Sequence, residues 1–178
     1  LLFFINNIDD ETIYKRSRSA LAWNAAAFLL LFLAYLFFLF TKKGFAYDPA
    51  NPEVTFLVDY KYWHNLTDMP LVFAAFGVGV LLVIGGILLT LLRDGYKKGI
   101  WLEGIGVVLT ALALFLIAGW NNTSYYPAYS TAMPEIINHS LNIRNSSSSP
   151  FTLKAMGVVS LLIPFVLAYI IYAWRALE

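Results

Sequence analysis

Residues 140–174 read SLNIRNSSSSPFTLKAMGVVSLLIPFVLAYIIYAW, and the change of text inside this stretch decides the fold. Residues 146–149 are four serines in a row, too poor in apolar groups to pack by themselves. Pro150 then pre-sets a helical φ, Thr152 and Lys154 fall in the first turns, and from Met156 to Trp174 the text is almost wholly apolar. A helix that begins at a membrane surface must satisfy its first N–H groups with hydroxyls, because lipid offers no acceptor. The serines and Thr152 therefore predict a cap, with Lys154 reaching back to the wet surface over its apolar stem. Pro164 lies in the middle of the apolar run; it lacks an N–H, which frees a carbonyl one turn back and predicts a kink.

The whole chain has the same bias. Its 178 residues are 60% hydrophobic and 13% charged, with a mean hydropathy of +0.67. That charged share is about half the soluble norm. Such a chain cannot hide its apolar surface in one core and still keep a polar coat, so the class is a polytopic membrane protein. A net charge of +1 with no dense basic stripe argues against a nucleic-acid partner. Zero cysteines remove disulfides, thiolate catalysis and iron–sulfur ligation together.

Four spans are predicted, at about 20–40, 69–92, 100–120 and 151–174. Residues 1–5 (LLFFI) read as the tail of an apolar helix that begins upstream. Residues 6–19 follow as a polar, solvated segment with Asp9, Asp10 and Glu11 ahead of Lys15, Arg16 and Arg18, the order that suits a short surface helix. The first span holds no charge and is about the 20 residues a hydrocarbon core requires. Its polar exceptions are Asn24, near the wet end, and Tyr35, placed to bond a neighbouring helix. Residues 41–68 form a long loop ending in Tyr60, Lys61, Tyr62, Trp63 and His64, an interfacial belt. Asp68 is the expected N-cap of the second span, with Pro70 in its first turn. Gly77, Gly79, Gly85 and Gly86 let another helix approach closely. Residues 93–98 make a tight basic connector, so the second and third spans form an antiparallel hairpin. Trp101 and Trp120 bracket the third span; nineteen steps at about 1.5 Å give roughly 28 Å, one hydrocarbon thickness. Glu103 is the only carboxylate of that span, and pairing with Lys97, Lys98 or Arg93 is the expected outcome.

Lys and Arg set the orientation. Seven lie in residues 6–19, in the short connector and in the tail, against five in the two long loops, 41–68 and 121–150, and the helix turn just after them (Lys154). The seven sit in much less sequence, so that side is expected to be cytoplasmic and the long loops periplasmic. The fold class is thus an all-α integral membrane protein, an antiparallel transmembrane four-helix bundle over residues 20–178. Residues 1–19 are the end of a preceding helix and a cytoplasmic segment.

The order Ser140, Leu141, Ile143, Asn145, Ser147–Ser148–Ser149–Pro150, Phe151, Thr152, Leu153, Lys154, Met156 resembles the signature before the last helix of subunit II of cytochrome bd-type quinol oxidases. Tyr126, Pro127, Ala128, Tyr129 and Ser130 resemble the aromatic–proline text after the penultimate helix of that family. The opening Phe4 to Glu11, with Asn121, Asn122, Thr123 and the ending Tyr172, Ala173, Trp174, Arg175, looks most like the form in Bacteroides-type bacteria. The resemblance runs over essentially the whole chain. It implies the C-terminal half of a larger, haem-free subunit in the bacterial inner membrane. The complex it implies oxidises quinol, reduces dioxygen to water and contributes to the proton-motive force. Haem b, haem d and the quinol site would reside in the partner, subunit I. Besides subunit I, the expected partners are the lipid bilayer and a quinone.

The residues agree with that division of labour. No nucleophile–base pairing, metal-spaced His cluster or paired intramembrane carboxylates are present, so catalytic, cofactor-binding and metal residues are all expected to be none in this chain. His64 and His139 both fall in the long loops. The alternative from another class is half of a secondary transporter, with Glu103 and the helix break at Pro164 serving a midplane site.

Overall fold

Hydropathy is realised as helix wherever the chain is apolar. The structure, a computed structural model, describes residues 1–131 and 133–177; Ala132 and Glu178, the last residue of the expected bundle, lie outside the described residues. The elements are α1 (Leu2–Asn7), α2 (Glu11–Thr41), β1 (Gly44–Tyr47), β2 (Thr55–Val58), α3 (Lys61–Asp68), α4 (Pro70–Leu92), α5 (Gly99–Gly119), a 3-10 turn (Pro134–His139), α6 (Pro150–Ser160) and α7 (Ile163–Leu177). Four segments are long and apolar enough to cross a membrane: Glu11–Thr41, Pro70–Leu92, Gly99–Gly119 and Pro150–Ala176. The chain divides into two compact units, Leu1–Ile143 and Arg144–Glu178.

Within the first unit, α4 and α5 form the expected antiparallel hairpin, and small residues set its spacing. A Cβ added at Gly79 would lie 2.9 Å from the Gly106 carbonyl oxygen, one at Gly106 2.7 Å from that of Gly79, and one at Gly86 2.9 Å from that of Gly99. Backbone therefore meets backbone along the seam. Thr90 and Thr110 lie on the same seam, and each hydroxyl donates to its own helix, to the Gly86 and Gly106 carbonyls at 2.8 Å. Polarity is thus absorbed locally while the outer surface stays apolar. Gly77 and Gly85, also expected to admit a neighbour, face open space.

Three apolar clusters hold the other elements to this hairpin. Ala25 of α2 packs with Val83 and Ile87. Leu2, Ile5 and Leu21 join α1 to α2, with Tyr14, Leu91 and Ile100 around them. Leu66, Val72, Ala113 and Ile117 tie α3 to α4 and α5 at the opposite end.

Two boundaries depart from expectation. Residues 11–19 are not a separate surface segment: α2 is continuous from Glu11. Asp10 caps it by accepting the Ile13 N–H at 2.9 Å, and Glu11 pairs with Lys15 one turn on at 2.7 Å. Nothing in ETIYKRSRSALA breaks a helix. At about 1.5 Å per residue, 31 residues reach roughly 46 Å, so the polar turns project beyond a hydrocarbon core. Asp68 does not cap the second span. It ends α3, and Met69 takes the cap position with no side-chain bond, while Pro70 begins α4 as expected. Residues 41–68 also hold more structure than a loop: β1 and β2 pair antiparallel, Gly44 opposite Val58 and Tyr47 opposite Thr55.

The second unit is one apolar span interrupted once. Ser149 is its N-cap: the Ser149 hydroxyl accepts the Thr152 N–H at 3.3 Å and lies 3.0 Å from the Thr152 hydroxyl. α6 ends at Ser160 and α7 resumes at Ile163, so the break falls beside Pro164 as its missing N–H requires.

The seam makes a sharp forecast. Gly106→Val should abolish or strongly destabilise the folded chain, because the new Cβ meets Gly79 and Val83 backbone that cannot move aside. Gly104→Ala, with nothing within 4 Å of the added atom, should leave the unfolding midpoint in detergent close to wild type. Equal midpoints for the two variants would disprove the backbone contact.

Candidate functional site

The described residues divide their polar chemistry between the two ends of the first unit. At the end carrying the long loops, α5 stops at Gly119 and leaves carbonyls unpaired in its last turn. Asn65, fully buried on α3, supplies the missing donor. Its Nδ2 donates to the Ile117 carbonyl and to the Thr123 hydroxyl, both at 2.7 Å, and its Oδ1 accepts from Asn121 Nδ2 at 3.2 Å. Lys61, one turn earlier, donates to the Asn121 carbonyl at 2.8 Å, and burial pulls its ammonium pKa below the usual lysine value. Asn121 and Asn122 both adopt left-handed φ, 52° and 55°. Asparagine tolerates that region better than most residues, which lets the chain reverse directly off the helix.

The reversal returns the chain to the hairpin. Ser124 N–H donates to the Phe45 carbonyl at 2.8 Å, and Tyr47 N–H to the Asn122 carbonyl at 3.0 Å. Farther along, Asn138 accepts the Thr55 N–H at 3.2 Å and Asn142 donates to the Pro52 carbonyl at 2.7 Å. The two long loops are thus one knitted cap. Thr123, Ser140 and Asn142 are wholly buried in it.

At the other end, charges rivet the α4–α5 turn to the start of α2. Arg18 pairs with Asp94 and also donates to the Leu91 carbonyl in the last turn of α4; Lys97 pairs with Asp9. Gly95, at φ +73°, donates its N–H to the Tyr14 hydroxyl at 3.1 Å. The Lys97 ammonium holds the Asp9 carboxyl below its ordinary value, mainly through their hydrogen bond and then by charge.

This arrangement corrects the expectation for Glu103. Lys97 is taken by Asp9, Arg18 rather than Arg93 binds the connector, and Glu103 has no ion pair among the described residues. Lys97 and Lys98 precede the first turn of α5, where Lys97 serves the α1–α2 corner and Lys98 is exposed, whereas Glu103 lines a cavity of about 230 Å³ with Leu1, Leu21, Asn24, Ala25 and Ile87. Asn24 itself donates to the Ala20 carbonyl at 2.8 Å. A second cavity of about 270 Å³ lies between α2, α4 and α5; Phe28, Phe32, Tyr35, Val80 and Val107 are among its walls. Tyr35 makes no hydrogen bond there among the described residues, contrary to its expected cross-helix bond.

His64 is exposed on α3 and His139 exposed in the 3-10 turn. Among the described residues no group of three or more His, Cys, Asp or Glu could hold a metal ion. Neither histidine lines the two cavities.

A multi-pass α-helical membrane protein is the class these features define. The sequence model of cytochrome bd terminal oxidase subunit II matches residues 1–177, and the chain belongs to that family. It is therefore a subunit of a bd-type oxidase, a haem-containing complex of the quinol oxidase class, and its family implies a subunit I partner. No curated protein matches the chain.

Two variants probe the two ends. Asn65→Ala removes three hydrogen bonds and strands the Ile117 carbonyl, which should cost about 1–3 kcal/mol; urea unfolding of the detergent-solubilised protein measures it, and no change would disprove the cap. The Asp9–Lys97 pair has the opposite-end signature. A carboxyl whose folded pKa is depressed stabilises above its unfolded value, 3.8, and loses that contribution as pH falls through the folded pKa. Asp9→Asn should therefore flatten that part of the acid-side slope and leave the alkaline side untouched.

Proposed function

We propose that this chain is a haem-free subunit II that stabilises subunit I, where haem b, haem d and the quinol site reside. The complex transfers electrons from quinol to dioxygen, forms water and contributes to the proton-motive force. The observation that supports this division of labour is the exposure of the spans. In the most apolar window of the fourth span no residue is buried, and in those of the other three at most 22% are. Such faces need lipid or another protein against them.

The positive-inside count places the Arg18–Asp94 end in the cytoplasm and the knitted cap in the periplasm. On this reading no catalytic step runs through the chain. Its residues fix helix spacing, close the helix ends and present apolar surface to the partner. The transporter alternative loses ground to the family match, and Glu103, fifth residue of α5, sits too near the helix start for a midplane site.

The test is the absorption spectrum of the complex purified through this subunit. Haem b and haem d bands should copurify with the chain. His64→Ala and His139→Ala should leave haem per complex unchanged, and loss of one band with the complex intact would show that a ligand resides here. Complex that carries no haem at all would overturn the oxidase reading.

A further inference from the structure

The break beside Pro164 leaves unpaired backbone in the middle of an apolar span. Pro164 has no N–H to give the Ser160 carbonyl. Phe165 and Val166 both donate to Leu162, at 3.1 Å each, so the Leu161 carbonyl is passed over as well. The neighbouring bonds are tightened, Leu161 to Val158 at 3.1 Å and Leu162 to Val159 at 3.0 Å. Among the described residues, no backbone N–H reaches the Ser160 or Leu161 carbonyl. The span runs Pro150–Ala176, and the break falls at its twelfth and thirteenth residues, its centre.

Hydrocarbon cannot satisfy two carbonyls, and irregular backbone at membrane depth persists only where protein or enclosed water covers it. The Ile163 N–H beside the break reaches no carbonyl either, and the side chains around it bring no spare donor to the Ser160 and Leu161 carbonyls. Val158, Val159, Leu161, Leu162, Ile163 and Phe165 surround the break and are exposed. Ser160 is the polar exception, and its hydroxyl donates to Met156 at 2.7 Å. Elsewhere in this chain's spans, Asn24, Thr90 and Thr110 each donate to a carbonyl of their own helix.

We propose that the Ser160 and Leu161 carbonyls form a docking point for a hydroxyl- or amide-bearing side chain on a membrane helix of subunit I. The identity of the partner rests on the function proposed above; the need for a donor rests on the helix break alone. The apolar surface on both sides then supplies area, and the polar contact at the centre sets register, since sliding by one turn would strand both carbonyls.

The test uses the intact complex in native membranes. Leu161→p-benzoylphenylalanine is photolysed and the crosslinked peptide identified by mass spectrometry. The expected product joins this position to a spanning segment of subunit I with Ser, Thr, Asn or Gln within one turn of the attachment. Products confined to lipid or to this chain, Tyr35 included, would overturn the proposal, as would a subunit I segment without such a residue. Pro164→Ala gives an independent reading, because it returns an N–H to the Ser160 carbonyl. A docked donor would then meet a competitor, and haem copurified per subunit II should fall several-fold. Unchanged haem with a raised unfolding midpoint means the break binds nothing. Wild-type preparations lacking subunit I altogether would instead bring down the proposed function, a result separable from either.

Discussion

Backbone amides in hydrocarbon have no water to fall back on, and that constraint explains more of this structure than any side-chain contact does. It makes every span-length apolar stretch a helix. It also decides what happens where helices stop. Asn65 covers the Ile117 carbonyl of α5, Arg18 covers the Leu91 carbonyl of α4, Asp10 accepts at the start of α2 and Ser149 at the start of α6. Side chains from other elements do half of this work, so closing the helix ends also fastens the fold together.

The interior is governed by a different economy. Helices that share an apolar solvent gain little from burying leucine, so close approach must come from small residues. Gly79, Gly86, Gly99 and Gly106 let α4 and α5 touch backbone to backbone. Thr90 and Thr110 add polar atoms without asking anything of a neighbour. The outward faces remain free to be apolar everywhere, as a subunit surrounded by lipid and a partner requires.

Much of this was legible in the sequence and some was not, for identifiable reasons. The four spans, the α4–α5 hairpin, the break at Pro164 and the Ser149 cap all follow from local chemistry: apolar run length, connector length, a missing N–H, a hydroxyl before a proline. The start of α2 was misplaced because hydropathy marks where a helix enters lipid, not where it begins, and residues 11–19 are polar but helical. Asp68 was misassigned because two helices abut at that point and the acid belongs to the end of the first. Glu103 drew the nearest bases in sequence, whereas Lys97 found Asp9, 88 residues away. The Asn65 network could not be read at all, since its partners at 117, 121 and 123 meet only once α3 has folded over the end of α5. His64 and His139, expected in the long loops, lie in the structured parts of those segments, on α3 and in the 3-10 turn.

The knitted cap has a consequence for how the protein is made. The α4–α5 hairpin closes on a connector of six residues and can assemble as soon as it leaves the ribosome. The cap cannot, because Pro52 must wait for Asn142, ninety positions later. Its two halves also reach their compartment on separate crossings of the membrane. Completion of the cap is therefore the last event in the first unit, and a chain arrested before residue 142 has its membrane hairpin and the Asn65 closure of α5 but lacks the Asn142–Pro52 bond that fastens the second loop to the first.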